Sequence, residues 1–157
     1  MSIEKVREAL RRFGREQAII EFDSSTATVA EAAVALGVDA ARIAKSIAVH
    51  VRDKTIVIVI AGDMKLSNRK FKEQFKTKLT MLSPEETLAS TGHPVGGVCP
   101  FGLPEGVDVF LDHSLRRFET VFPACGSAHS AIALTLHDLA LFSNNCAWVD
   151  LCQERSG

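Results

Sequence analysis

The sequence predicts a single α/β domain, of the α+β kind, in which helices surround one mixed, curved or barrel-like β-sheet. Stretches rich in β-branched residues alternate irregularly with amphipathic stretches, without the strict repetition of a βαβ protein. The 157 residues suffice for one hydrophobic core and are few for two. No internal repeat, low-complexity run or linker divides the chain, so one domain is expected over residues 1–157.

The N-terminal part predicts two helices separated by a short strand. Apolar residues recur on one face of the first helix: Ile3, Val6, Leu10 and Phe13. This helix is expected to end at Gly14, and the segment QAIIEF to form the strand. In TVAEAAVALG, Thr28 and Glu31 have the spacing of a capping box, and Gly37 terminates the second helix.

The middle of the chain predicts a hairpin of buried strands followed by two helices. AKSIAVHV and KTIVIVIAG are rich in β-branched residues and meet around RDK. The basic segment 64–78 comes next and is expected to be helical, with Phe71 and Phe75 facing inward. Ser83, with Glu86 three residues later, caps the helix SPEETLAS.

A glycine- and proline-rich loop, TGHPVGGVCPFG at residues 91–102, separates these helices from a mainly β-strand part. Strands are expected at VDVFLD, near TVFPAC, near AIALTL and near CAWVD. A short turn passes through HSLRRF, and a helix begins at about His137. The elements thus favour a mixed sheet over a parallel one.

Composition excludes several classes of function. The net charge of −1 gives no global positive field, so a polyanion could bind only at a local patch. The N-terminal segment is charged from residue 4, and the longest apolar run is too short to cross a bilayer. We therefore expect a cytoplasmic protein without a membrane partner. The four cysteines form no CxxC pair and are expected to be free thiols. The five histidines do not have the spacing of a metal-ligand pair, so neither a metal nor a cofactor is expected.

Several residues are candidates for chemistry, each with a structural alternative. The glycine-rich loop could offer backbone N–H groups to an anion or oxyanion, although such loops are more often tight connections. Lys45, at the start of an apolar strand, could point into a cleft or extend its charge to solvent. Asp112 could face a pocket, but its spacing favours a helix cap.

Two further features carry charge or reactivity. A basic face could contact phosphates or be merely solvated, and it comprises Lys65, Arg69, Lys72 and Lys76. Cys99 lies in the glycine-rich loop near His93, so a thiol nucleophile is conceivable. A buried, inert thiol is the more common outcome for such a residue.

Five segments, taken in order, resemble the YbaK/ProX family, the free-standing relatives of the editing domain inserted in bacterial prolyl-tRNA synthetase. They are RIAKSIAV, IAGDMKL, STGHPVGGVCPFG, FLDHSL and PACGSAHSAIAL. The resemblance spans residues 22–138, and its most specific part is the GxxxP loop at residues 96–100 together with the upstream lysine. It implies a trans-editing deacylase, which hydrolyses the ester between a wrong amino acid and the terminal adenosine of tRNA.

The resemblance also implies roles for individual residues. The catalytic set would be Lys45, Gly96, Gly97, Pro100 and Asp112. In this set the lysine would orient the substrate or bind the terminal phosphate, and the loop would hold the ester or the attacking water. The substrate-binding set would be Ser46, Thr91, Val98, Cys99, Gly126 and Ser127. The contact with tRNA rests on charge alone and would be made by Lys65, Arg69, Lys72 and Lys76.

The expected partners are an aminoacyl-tRNA and, as a second candidate, an aminoacyl-tRNA synthetase. Cys99 departs from the family pattern, which commonly has serine before the loop proline, and a thiol is the weaker hydrogen-bonding group. This difference bears on specificity more than on activity. Two alternatives stay open: a non-catalytic module of the same fold that binds tRNA or a synthetase, and a thiol-dependent hydrolase using Cys99.

Overall fold

A mixed β-sheet forms the centre of the protein, and helices pack on both of its faces. The computed structural model describes residues 2–144 and 147–154. Its α-helices are α1 (Ser2–Arg11), α2 (Val29–Leu36), α3 (Asn68–Phe75), α4 (Pro84–Thr91) and α5 (Leu136–Ser143). Its strands are β1 (Ile20–Glu21), β2 (Ile43–Val51), β3 (Lys54–Ala61), β4 (Met64–Leu66), β5 (Thr80–Met81), β6 (Asp108–Asp112), β7 (Thr120–Pro123), β8 (Ser130–Ala131), β9 (Leu134–Thr135), β10 (Ala147–Val149) and β11 (Cys152–Glu154). Short 3₁₀ helices cover Glu16–Ala18, Ala40–Arg42 and His113–Arg117.

The main sheet has the order β10-β6-β3-β2-β7-β9, and β5 also pairs with β2. The antiparallel hairpin of β2 and β3 is its longest pairing, and it turns through Arg52 and Asp53. Strands β6 and β7 flank this hairpin in parallel. The mixture of parallel and antiparallel neighbours and the curled sheet confirm the predicted fold class.

The two faces of the sheet face different cores. Val57 and Val59 of β3 point to a core that α1 and α5 close. Ile58 and Ile60 point to the opposite core, which contains Phe71 of α3. Strand alternation explains this division, because successive side chains of β3 leave opposite faces. Burial on both faces also explains why the hairpin strands are apolar almost throughout.

Local signals in the sequence correspond closely to the helix boundaries. Both predicted capping boxes are present, with Thr28 accepting from the backbone of Glu31 and Ser83 from that of Glu86. Helix α1 ends at Arg11, slightly before the predicted end, and Gly14 then takes a left-handed conformation with φ 70°. These outcomes depend on neighbours in sequence and need little tertiary information.

Other predicted elements need correction. The basic segment is not one helix, because residues 64–66 form strand β4 on β11 and α3 starts only after the cap Ser67. Within QAIIEF, Gln17 and Ala18 end a 3₁₀ turn, and only Ile20–Glu21 form a strand, the two-residue β1, which pairs with β8. AIALTL is divided between β8 and β9. The strand near CAWVD is present as β10, while Cys146 lies outside the described residues.

Among the residues that the structure describes, no helix combines the length and apolarity needed to cross a bilayer.

Candidate active site

The main sheet has a gap on one side of β2. Strand β7 pairs with Ile43 and Ala44, and β5 pairs with Val49 and His50. The Ala48 carbonyl also accepts from the Leu82 amide, so residues 45–47 are the part of β2 that no strand of the described residues flanks on that side. Strand β7 ends at Pro123, which has no N–H to extend a ladder. The chain after β5 turns away into α4, so neither strand closes the gap.

A cavity of about 670 Å³ opens at this gap. Residues 43–48 of β2 all contribute to its wall. Because side chains alternate between faces, six consecutive residues can line one cavity only when the cavity faces the edge of the strand. The other walls come from α2 and the segment before it, from the start of α4, from the glycine-rich loop and from the ends of β7 and β8.

Lys45 lies in this gap. Its side chain leaves β2 on the same face as Ile47 and Val49, which is the face that α3 covers. The residue is half-buried, and it is the one charged residue in the cavity wall among the described residues. A lysine in an otherwise uncharged cavity wall is well placed to attract an anionic group.

Most hydroxyl groups of the cavity wall are engaged within the protein. The Thr87 hydroxyl donates to the Ser83 carbonyl at 2.8 Å, and the Ser130 hydroxyl accepts from that of Ser127 at 2.9 Å. The Ser46 hydroxyl differs, since it is buried and has no hydrogen-bond partner among the described residues. A buried unpaired hydroxyl costs about 1–3 kcal/mol, which makes Ser46 an unusual member of the wall.

The glycine-rich loop contributes Val95, Gly96 and Val98 to the cavity wall. Gly96 has φ 92°, a conformation that favours glycine. Gly97 instead packs behind the wall, where an added Cβ would lie 2.6 Å from the Ser127 nitrogen and 2.7 Å from the Gly126 carbonyl carbon. The Gly97 N–H also donates to the Pro94 carbonyl at 2.9 Å. Gly97 and Gly126 thus allow close backbone packing and do not line the cavity.

Thr91 and Cys99 belong to the glycine-rich loop but do not line the cavity. The Thr91 hydroxyl donates to the Thr87 carbonyl at 2.6 Å and accepts from the His93 amide at 3.1 Å. The thiol of Cys99 is fully buried, 3.6 Å from His93 Nε2. Burial raises the pKa of this thiol to about 12, so the thiolate needed for nucleophilic attack is not available near neutral pH. The geometry therefore argues against a thiol-dependent hydrolase.

His93 is a fully buried, neutral histidine that holds the loop in place. Its Nε2–H donates to the Phe101 carbonyl at 2.7 Å, because a carbonyl can only accept. Its Nδ1 then accepts from the Ser2 hydroxyl at the start of α1. Burial lowers the pKa of His93, which keeps the imidazole uncharged.

Asp112 and Pro100 are not brought to the cavity. Asp112 is 1% exposed and caps the 3₁₀ helix that follows β6, accepting from the Ser114 amide at 2.9 Å. Its second oxygen accepts from the Leu151 amide at 2.7 Å. Both carboxylate oxygens therefore accept hydrogen bonds from backbone amides, and Asp112 has the role of a helix cap that its spacing in the sequence favours. Pro100 lines a separate hollow of about 380 Å³ near α1.

The basic residues form an exposed surface on and around α3. Lys65 lies on β4, Arg69 and Lys72 lie on α3, and Lys76 is its left-handed C-cap with φ 60°. The predicted single helical face is therefore wrong for the two outer lysines. Arg69 is paired with Glu73 at 3.0 Å, an exposed pair of small energetic value. Among residues 2–144 and 147–154, no group of three His, Cys, Asp or Glu side chains is placed to hold a metal ion.

Part of the cavity wall has no motif in the sequence. Met81 and Leu82 come from the chain around β5, Thr26 comes from the segment before α2, and Val29 is the first residue of α2. Their residue types carry no chemical signal. Only the pairing of β5 with β2 and the docking of α2 bring them to the gap.

The chain belongs to the aminoacyl-tRNA editing domain family, whose profile matches residues 23–142. The protein YwhH of Bacillus subtilis is 49% identical over 155 residues, which cover 98% of this chain and 99% of that protein. The proline–tRNA ligase of Thermotoga maritima is 37% identical over 90 residues, 57% of this chain, and the match spans 15% of the ligase's length.

Solved structures agree with this assignment. The crystal structure of a protein assigned to trans-editing for prolyl-tRNA synthetase superimposes with a TM-score of 0.86 at 26% identity, covering 99% of this chain and 98% of that one. The protein APE2540 gives a TM-score of 0.84 at 27% identity, covering 95% and 99%. The predicted family and fold are confirmed.

Proposed function

We propose that the protein is a trans-editing deacylase, which releases an amino acid from a mischarged tRNA. The observation that carries this proposal is the cavity at the gap in the sheet. It combines a lysine, Lys45, with Gly96 and Val98 of the glycine-rich loop. Its volume of about 670 Å³ can hold an aminoacyl group and part of the ribose that bears it.

The reaction makes modest demands on such a cavity. Water adds to the ester carbonyl carbon, the bond from that carbon to the ribose oxygen breaks, and this oxygen leaves as a hydroxyl carrying the proton that the water loses. An aminoacyl ester is already activated, so orientation and hydrogen bonds to the developing oxyanion can supply much of the rate. A neighbouring ribose hydroxyl can relay the proton. The described residues of the cavity wall include no histidine or aspartate, which is consistent with this chemistry.

Lys45 and the basic surface are assigned to the nucleic acid. Lys45 leaves the sheet on the face that α3 covers, and α3 carries Arg69 and Lys72. Phosphates of a bound tRNA end could therefore reach both the lysine and the helix from one side of the sheet. An aminoacyl-tRNA synthetase is the second candidate partner, as a source of the mischarged tRNA.

The test is a deacylation panel with tRNAs charged with different amino acids, both matched and mismatched. We expect release of at least one amino acid well above the spontaneous rate. Lys45→Ala should lower this rate by at least about 100-fold, since removal of one positioned donor commonly costs that much. Lys54→Ala is the matched control, because Lys54 lies on the adjacent strand, outside the cavity wall, paired with Asp108.

Two results would contradict the proposal. Spontaneous rates across the whole panel would rule out the enzyme, and tRNA binding without hydrolysis would favour the non-catalytic module. Equal loss of activity in Lys45→Ala and Lys54→Ala would show that the effect of the first variant is not specific to the cavity.

A further inference from the structure

The backbone of Ser46 faces the gap in the sheet. The Ala48 carbonyl accepts from the Leu82 amide at 3.4 Å, so the N–H and C=O groups of Ala48 point to the side of β2 where the gap lies. Backbone groups in a strand alternate between its two sides, with the N–H and C=O of one residue on the same side. Ser46, two residues earlier, therefore points its N–H and C=O the same way, while Lys45 and Ile47 point theirs toward β3.

An aminoacyl ester carries the same chemical unit that a neighbouring strand would bring to this position. Its α-amino group, α-carbon and ester carbonyl correspond to the N–H, Cα and C=O of one peptide residue. In an antiparallel sheet, a directly opposed pair of residues can exchange two hydrogen bonds through these groups. Three residues, 45–47, lie between the last pairing with β7 and the Ala48–Leu82 hydrogen bond, roughly 10 Å at the usual rise of a strand, which accommodates one such unit.

We propose that the aminoacyl group of the substrate fills the gap as a one-residue strand that pairs with the backbone of Ser46. This inference rests on the proposed function and deepens it. The substrate α-amino group donates to the Ser46 carbonyl, and the Ser46 N–H donates to the ester carbonyl oxygen, where negative charge develops during hydrolysis.

The composition of the cavity wall agrees with this pairing. Among the described residues no carboxylate lines the cavity, so the amino group has no ionic partner there. Hydroxyl groups of Thr87 and Ser130 are already engaged within the protein. Of the acceptors that Ser46 itself brings to the gap, the hydroxyl is unpaired and the backbone carbonyl points to the open side of β2, so the pairing uses the carbonyl and a side-chain variant tests the hydroxyl.

Stable substrate analogues test the pairing without relying on hydrolysis. In 3′-(2-aminobutyrylamino)-3′-deoxyadenosine an amide replaces the ester, and the matching butyrylamino compound differs only in lacking the α-amino group. We expect the full-length protein to bind the amino compound at least about tenfold more tightly, as loss of one hydrogen bond from a charged donor implies. Equal affinities, or no binding of either compound, would overturn the proposal.

A side-chain variant separates the backbone of Ser46 from its hydroxyl. Ser46→Ala retains the N–H and C=O, so the preference for the amino compound should stay within about twofold of the wild-type ratio. Collapse of that ratio would assign the amino group to the hydroxyl and overturn the backbone pairing. Because binding is measured on stable analogues, failure of the pairing is distinguishable from failure of the deacylase proposal, which the tRNA panel judges by hydrolysis.

Discussion

Gly97→Ala tests whether the position of the glycine-rich loop controls the cavity. An added Cβ would lie 2.6 Å from the Ser127 nitrogen and 2.7 Å from the Gly126 carbonyl carbon, compared with an ordinary contact limit of 3.4 Å. The difference, 3.4 minus 2.6, is 0.8 Å, and both neighbours are backbone atoms that cannot rotate away. The loop and the segment after β7 must therefore separate.

The expected magnitudes follow from this displacement. Overpacking of this kind costs about 1–3 kcal/mol in the free energy of unfolding. For a chain of this length that corresponds to a fall in Tm of roughly 2–12 °C. A shift of about 1 Å in a positioning group can lower a rate by about 100-fold, so deacylation should fall far more than stability alone explains.

The assay combines urea unfolding with single-turnover deacylation of the best tRNA in the panel. Gly106→Ala is the control, since its added Cβ meets no atom of the described residues within 4 Å but its φ of 93° imposes strain of about 1–2 kcal/mol. The control should lose stability without losing activity. If Gly97→Ala loses stability yet deacylates at the wild-type rate, the loop does not position the substrate. Unchanged stability would refute the contact argument itself.

Three further predictions concern the thiol, the buried histidine and the basic surface. Cys99→Ser should deacylate at a rate within about threefold of the wild-type rate, because burial raises the pKa of the thiol to about 12 and the group is no nucleophile. A loss of about 100-fold or more in the deacylation assay would restore the thiol-hydrolase interpretation. The free energy of unfolding should fall as the pH drops below about 6.5. The reason is that the lowered pKa of His93 keeps this residue neutral in the folded protein, while the same histidine binds a proton in the unfolded chain. Urea titrations should therefore show a smaller pH dependence for His93→Asn than for the wild type. Arg69→Ala combined with Lys72→Ala should weaken tRNA binding and reduce the slope of log affinity against log salt by about 1.4–1.8, and an unchanged slope would exclude these residues from the interface.

The helix boundaries and the central hairpin could be predicted because their causes are local. Thr28 with Glu31 and Ser83 with Glu86 fix helix starts through contacts three residues apart. The β-branched runs around RDK similarly form the hairpin across a two-residue turn. The basic segment was predicted less well, because residues 64–66 become a strand only through pairing with β11 near the other end of the chain.

At the candidate site, too, the sequence predicts which residues are involved better than it predicts how they are placed. The motif residues Lys45, Gly96 and Val98 reach the cavity, whereas Asp112 is engaged as a cap and Gly97 supports the loop from behind. A motif in the sequence specifies which residues occur together. It does not specify which atoms of those residues face a cavity and which ones pack, since both roles favour the same small or polar residue types.

By itself, the sequence determined the family, the mixed α/β class and most helix caps, because these follow from motif order, periodicity and contacts between near neighbours. Only the tertiary structure decided where the cavity lies. The gap in the sheet exists because β7 ends at Pro123 opposite Ala44 and β5 pairs from Val49 onward. These pairings join residues about 80 and about 30 positions apart in the chain, and their free energy depends on the packing of the whole sheet, which no short stretch of sequence encodes.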